Sequence, residues 1–201
     1  MKIYVMRHGQ TIQNSKSHVQ GGGSDSPLTN KGIDGAKKAK TIIDELSIQR
    51  IYSGDLGRHL QTVSIINSNN IEHIIDPNLN EANFGCYENK PIWYMYIKTF
   101  ITNKCIVNPK TLSISYIMDC IKKSDKTKKV ESSIEIKQRI NKTMSNILNC
   151  GLERILIVSS GMYLETMIEM YNPNIKFMRM KNCGIYLLDT DNSLKICTVY
   201  E

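Results

Sequence analysis

Arg7 and His8 follow directly on the short apolar run Ile3 to Met6, and Gly9 comes next. A histidine can carry a phosphoryl group covalently, which divides a hydrolysis into two easier steps. Such a transfer needs an in-line nucleophile, with cations or N–H donors on the equatorial oxygens. Arginine suits those oxygens because its planar fork stays charged and binds two of them at once. Arg7 and Arg58 are the candidates for that task. Glu81 offers a carboxylic acid that can protonate a leaving alkoxide and then activate water. Nothing in this set calls for a metal or an organic cofactor. Taken singly, each residue also has a plainer reading: His8 packed or capping, Arg58 on the surface and paired with Asp55, Glu81 a loop-end carboxylate, Asn14 the cap of a turn.

The elements that must position these groups read as alternating strands and helices. Ile3 to Met6 has no polar break, as a strand buried on both faces requires. Thr29 is a helix N-cap ahead of Ala36, Ala39, Ile43 and Leu46, which share one face. Residues 50–53 form the next strand, and Leu56, Leu60 and Val63 follow at helical spacing. Residues 71–75 read as a strand stopped by Asp76-Pro77. Ile136, Ile140, Met144 and Ile147 mark a helix over about 134–148. Ile155 to Val158 is a second strand without a polar break. Gly161 opens a helix carrying Leu164, Met167, Ile168 and Tyr171. Strands near 184–188 and 195–199 end the chain. This alternation implies an α/β three-layer sandwich, a central mainly parallel sheet with helices on both faces. The expected organisation is a single domain over 1–201, with a helical cap insertion at about 90–130 that covers the site. Trp93, Tyr94, Tyr96 and Lys98 lie in that insertion. In an open parallel sheet, ligands bind beyond the carboxyl ends of strands. Arg7-His8, Arg58 and Ser159-Ser160-Gly161 all fall at such ends.

Composition fits one compact core: 201 residues, 41% hydrophobic and 22% charged, an ordinary globular mix. The net charge is +7, with much of the excess between Lys122 and Lys129, which reads as a solvated face. No motif supports nucleic-acid binding. The six cysteines show neither a CxxC pair nor zinc-ligand spacing. The apolar run at the N-terminus is too short for a signal sequence, and no run reaches membrane-spanning length. A cytoplasmic protein is expected, with no membrane or nucleic-acid partner.

The motifs, in order, resemble those of the histidine phosphatase (phosphoglycerate-mutase-like) superfamily. Arg7-His8-Gly9-Gln10-Thr11 with Asn14 looks like its opening motif. Gln20-Gly21 and Asp25 to Thr29 resemble the loop and first helix start. Ile51 to Arg58 with Gln61-Thr62 resembles the segment that supplies the second arginine. Leu79 to Gly85 resembles the segment that supplies the acid. Ser159 and Gly161 flank the last site position. A lone Arg-His-Gly would mean little, whereas this ordered set is specific. The resemblance implies that His8 is the phosphorylated nucleophile and that Arg7, Arg58 and Asn14 hold the phosphate. It also implies that Gly21 joins them through its backbone N–H, and that Glu81 is the proton donor. Ser160 and Gly161 would complete the phosphate site.

One position departs from the pattern. The family motif there would read Ser-His-Gly, and this chain has Ser159-Ser160-Gly161. Serine is shorter than histidine and supplies no positive charge. Three outcomes follow. Ser160 and the helix N-terminus behind it partly replace the missing group in a slow phosphatase. Or the protein binds phosphorylated ligands without turnover. Or another histidine fills the gap from a loop, with His18 the candidate, since both His18 and His59 otherwise read as structural or solvated. The expected function is a metal-independent phosphomonoester hydrolase acting through phospho-His8, with reduced activity. Phosphoglycerate mutase and a non-catalytic phosphate binder are the alternatives.

Overall fold

The structure is a computed structural model that describes residues 1–103, 113–172, 179–189 and 195–200. In chain order it contains β1 (Lys2–Arg7), α1 (Ile12–Ser15), α2 (Asn30–Glu45), β2 (Arg50–Ser53), α3 (Gly57–Ile66) and β3 (Glu72–Ile75). There follow α4 (Ile92–Asn103), α5 (Ile114–Ser124), α6 (Ser133–Leu148), β4 (Arg154–Ser159), α7 (Gly161–Tyr171), β5 (Ile185–Asp189) and β6 (Lys195–Tyr200). The six strands form one sheet in the order β3-β2-β4-β1-β5-β6. The first four are mutually parallel, and β5 and β6 join antiparallel.

The unbroken apolar strands are central because both of their faces are covered. Along β1 and β4 successive side chains point to opposite sides. Ile3, Val5, Ile155 and Ile157 join one core with Ile117, Ile121, Ile136, Ile140, Leu164 and Met167, from α5, α6 and α7. Tyr4, Met6, Leu156 and Val158 join the other with Ala36, Ala39, Ile43 and Val63, from α2 and α3. The result is the expected three-layer sandwich.

Thr29 caps α2 by accepting a bond from the Gly32 N–H at 3.0 Å, and Ser132 with Glu135 forms a capping box on α6. The reading of α3 needs correction. Its buried face is Arg58, His59, Thr62, Val63 and Ile66, while Leu56 and Leu60 are only half-buried. Polar residues occupy that face because they point into the site rather than into a dry core.

Part of the expected insertion, residues 104–112 with Cys105, lies outside the described residues. The described parts are the helices α4 and α5, which pack on each other. Trp93 is 62% exposed and stands edge-on to Tyr94, away from the cavity described below. Among the described residues, no helix is long and apolar enough to cross a membrane.

Candidate active site

The parallel register sets the site. Arg7 of β1 lies beside Ser159 of β4, and Ser53 of β2 lies beside Val158 of β4. The chain therefore leaves three neighbouring strands at one edge of the sheet, at His8, Ser160 and Gly54. The His8 N–H donates to the Ser159 carbonyl at 3.0 Å, which ties the first two segments together.

His8 is 2% exposed. Its Nδ1 lies 2.7 Å from the Gly9 carbonyl oxygen. A carbonyl can only accept, so Nδ1 carries the proton and Nε2 keeps its lone pair. Burial holds the imidazole pKa well below its usual value, and the nearby charges of Arg58 and Arg7 push the same way. The ring is therefore neutral. Asn182 Nδ2 donates to the His8 carbonyl at 2.9 Å, and Thr62 Oγ1 accepts from the Gly9 N–H at 3.1 Å.

Arg58 is fully buried, and every N–H of its guanidinium is engaged. Nη1 donates to the Ser24 carbonyl and to Asp25 Oδ1, both at 3.0 Å. Nη2 donates to the Gly21 carbonyl at 3.1 Å. Nε and Nη2 reach Ser160 Oγ at 3.4 and 3.3 Å. The surface arginine paired with Asp55 is thus not what the fold makes. Asp25 is the ionic partner, and Asp55 accepts from Asn80.

Gly21 also differs from expectation. Its N–H donates to Glu88 Oε2 at 2.9 Å, so Gly21 meets the site through its carbonyl, on Arg58. Glu88 has a second role in the loop, accepting from the Gly23 and Phe84 N–H groups at 3.3 and 2.9 Å. The N–H donors of this glycine-rich segment fold it around one carboxylate.

Arg7 Nη1 donates to the Met180 carbonyl at 2.7 Å, while Arg7 Nε is buried without a partner. Glu81 is 7% exposed and accepts from the N–H groups of Ala82, Met162 and Tyr163 at 3.0, 3.1 and 2.9 Å. It therefore occupies the N-terminal N–H groups of α7. Desolvation pushes its pKa up, against the pull of those donors and of Arg58. Asn14 closes a capping box with Thr11 on α1, and its Oδ1 faces Asn182 Nδ2 at 3.3 Å. Asn14 thus caps a turn and also lines the cavity described next.

A cavity of about 250 Å³ opens beside these groups. Arg7, Asn14, Glu81 and Gly161 line it, together with the apolar side chains of Phe84, Ile92, Met95, Tyr96 and Met162. His8 and Arg58 are not among its lining residues. Glu165 and Arg179 stand at its wall, and burial pushes the Glu165 carboxyl up to about 8. Among the described residues, no group of three or more His, Cys, Asp and Glu side chains is arranged to hold a metal ion.

The expectation for His18 and His59 also changes. His18 is half-buried on the cavity wall, and the groups that hydrogen-bond Ser160 Oγ are Arg58 and His59 instead. His59 is fully buried, and its Nε2 lies 2.8 Å from Ser160 Oγ. The spacing of Leu56, Leu60 and Val63 gives no sign of this, because the buried face of α3 is the one that carries Arg58, His59 and Thr62.

The sequence model of the histidine phosphatase superfamily (branch 1) matches residues 3–98. The probable phosphoglycerate mutase GpmB of Escherichia fergusonii is 30% identical over 199 residues, covering 96% of this chain and 86% of that protein. The chain belongs to the histidine phosphatase superfamily. Among solved structures, the phosphoglycerate mutase of Bacillus anthracis str. Sterne superposes with a TM-score of 0.84 at 25% identity, over 100% of this chain and 92% of that one. The alpha-ribazole phosphatase of Shigella flexneri shares the fold, with a TM-score of 0.76 at 20% identity over 100% and 95% of the two chains. As a superfamily member the chain has the mixed α/β fold of these mutase-like and phosphatase structures.

Proposed function

We propose that the protein is a metal-independent phosphomonoesterase acting through a phosphohistidine on His8. The observation that carries this reading is the 2.7 Å contact between His8 Nδ1 and the Gly9 carbonyl. It commits the proton to Nδ1 and leaves Nε2 as a nucleophile in a neutral ring flanked by two arginines.

In the first step the Nε2 lone pair attacks phosphorus and the bond to the leaving oxygen breaks. The proton of the Glu81 carboxyl passes to that oxygen. In the second step water attacks the phosphoryl group, Glu81 takes its proton, and the P–N bond breaks to give orthophosphate. Arg7 and Arg58 hold the equatorial oxygens, with Asn14, Ser160 and Gly161 beside them. Arg58 must first release a donor. Its two bonds to Ser160 are its longest and are the ones an anion would exchange. The apolar wall of the cavity favours a leaving group with an apolar face.

The test is trapping of the intermediate. After brief incubation with a radiolabelled phosphomonoester and alkaline quenching, label should remain on the wild-type protein and be absent from His8→Ala. Steady p-nitrophenyl phosphate hydrolysis should vanish in the same variant. Label on His8→Ala would exclude the reading. A mutase reading is supported by the similarity to the probable phosphoglycerate mutase of Escherichia fergusonii and to the Bacillus anthracis phosphoglycerate mutase. Conversion of 3-phosphoglycerate to 2-phosphoglycerate with a bisphosphate primer, faster than hydrolysis, would favour it.

A further inference from the structure

The environment of His59 sets its tautomer. The ring is completely buried, and its centroid lies 5.6 Å from that of His8. Nε2 meets Ser160 Oγ at 2.8 Å, while Nδ1 is buried with no hydrogen-bond partner. Nδ1 faces the Cα of Gly54 so closely that a Cβ there would stand 2.5 Å from it. A buried N–H with no acceptor costs about 1–3 kcal/mol. A bare nitrogen against C–H is the cheaper arrangement, so the ring proton sits on Nε2 and is donated to Ser160.

Ser160 then has its oxygen supplied with donors, from Arg58 and from His59. A hydroxyl has two lone pairs and one proton. When Arg58 turns to an anion, the His59 N–H still holds one lone pair, and the hydroxyl proton is the group left to give. Ser160 is also the N-cap of α7 but makes no side-chain capping bond, although serine at that position usually does. Its hydroxyl has been drawn away from the helix and into the site.

We propose that His59 is a positioning residue that fixes the Ser160 hydroxyl as a hydrogen-bond donor to the transferred phosphoryl group. The inference rests on the phosphoryl-transfer reading above. Two neutral side chains from α3 and the start of α7 together present one polarised donor where Ser160 alone would rotate freely. The cooperative polarisation of linked hydrogen bonds strengthens that donor.

The test is a double-mutant cycle read in two ways: p-nitrophenyl phosphate kinetics, and binding of orthovanadate alone by calorimetry. His59→Ala should lower kcat about tenfold or more with KM little changed, and weaken vanadate to a similar degree. Ser160→Ala should do at least as much, and the double variant should be no worse than Ser160→Ala. His59→Gln, whose amide can still donate to Ser160, should stay near wild type, whereas His59→Asn, too short to reach, should not. Multiplying losses, or equal losses in the Gln and Asn variants, would overturn the proposal. So would a His59→Ala protein with unchanged kinetics and affinity. If His59→Ala fails to fold, the Gln and Asn pair decides. A wild-type protein that binds vanadate without turnover would end the hydrolase reading, and the vanadate cycle would still judge His59.

Discussion

The Arg7 guanidinium lies against the bare Cα of Gly161, where a Cβ would come within 3.3 Å of Nε and 3.4 Å of Cζ. That is closer than side chains ordinarily approach, and a larger residue must displace the arginine. Gly161→Val should weaken orthophosphate binding about tenfold, or ~1.4 kcal/mol. Calorimetric titration with phosphate checks it. Unchanged affinity would mean that Arg7 does not reach the anion.

The second prediction concerns pH. Ordinary values of 6.5 for histidine and 4.5 for glutamate would leave about one per cent of molecules with a neutral His8 and a protonated Glu81. Burial moves the two in opposite directions, His8 down and Glu81 up, which widens the window in which both are correctly protonated. The acid limb of kcat/KM should lie below pH 6.5, and the alkaline limb above 4.5 should be missing from the residual activity of Glu81→Gln. A pH–rate profile settles both points.

Restoring a histidine at position 160 should fail by itself. His59 already stands 2.8 Å from Ser160 Oγ, and overpacking a filled site costs about 1–3 kcal/mol. Ser160→His should therefore lower the thermal midpoint without raising the rate. Combined with His59→Ala, which vacates the space, it should turn over p-nitrophenyl phosphate faster than His59→Ala alone. Scanning calorimetry and steady-state rates on the three variants test the two halves separately.

Glu165 gives a stability prediction. Its folded pKa is raised from 4.5 to about 8 by burial, so the folded state binds this proton more tightly than the unfolded chain. Its contribution is full below about pH 4.5 and is lost as pH rises towards 8. Glu165→Gln keeps an oxygen to accept the Met180 N–H, which Glu165 now holds at 2.9 Å, and does not titrate. Its urea midpoint should fall less than that of the wild type between pH 5 and pH 8. Parallel pH dependences would show that Glu165 is ionised in the folded protein.

The layers of the fold were legible because two local signals encode them. Ile3 to Met6 and Ile155 to Val158, without a polar break, read as strands covered on both sides. Thr29 and the spacing of Ala36, Ala39 and Ile43 fix one helix and its inward face. The same signals place His8 and Ser160 at strand ends on one edge of the sheet. The ordered motifs added Arg58 and Glu81, although nothing local in the sequence requires either to be buried.

What the sequence determined, then, is which segments meet and at which end of the sheet. Only the tertiary structure decided which atoms face one another. His59 rather than His18 stands at Ser160, 101 positions away in the chain. Gly21 offers its carbonyl rather than its N–H, Asp25 rather than Asp55 pairs with Arg58, and Glu81 takes the free N–H groups of α7. The physical reason is that periodicity records only whether a residue faces the core. A buried donor takes whichever acceptor the packing of distant segments brings within about 3 Å, and that choice has no local signature.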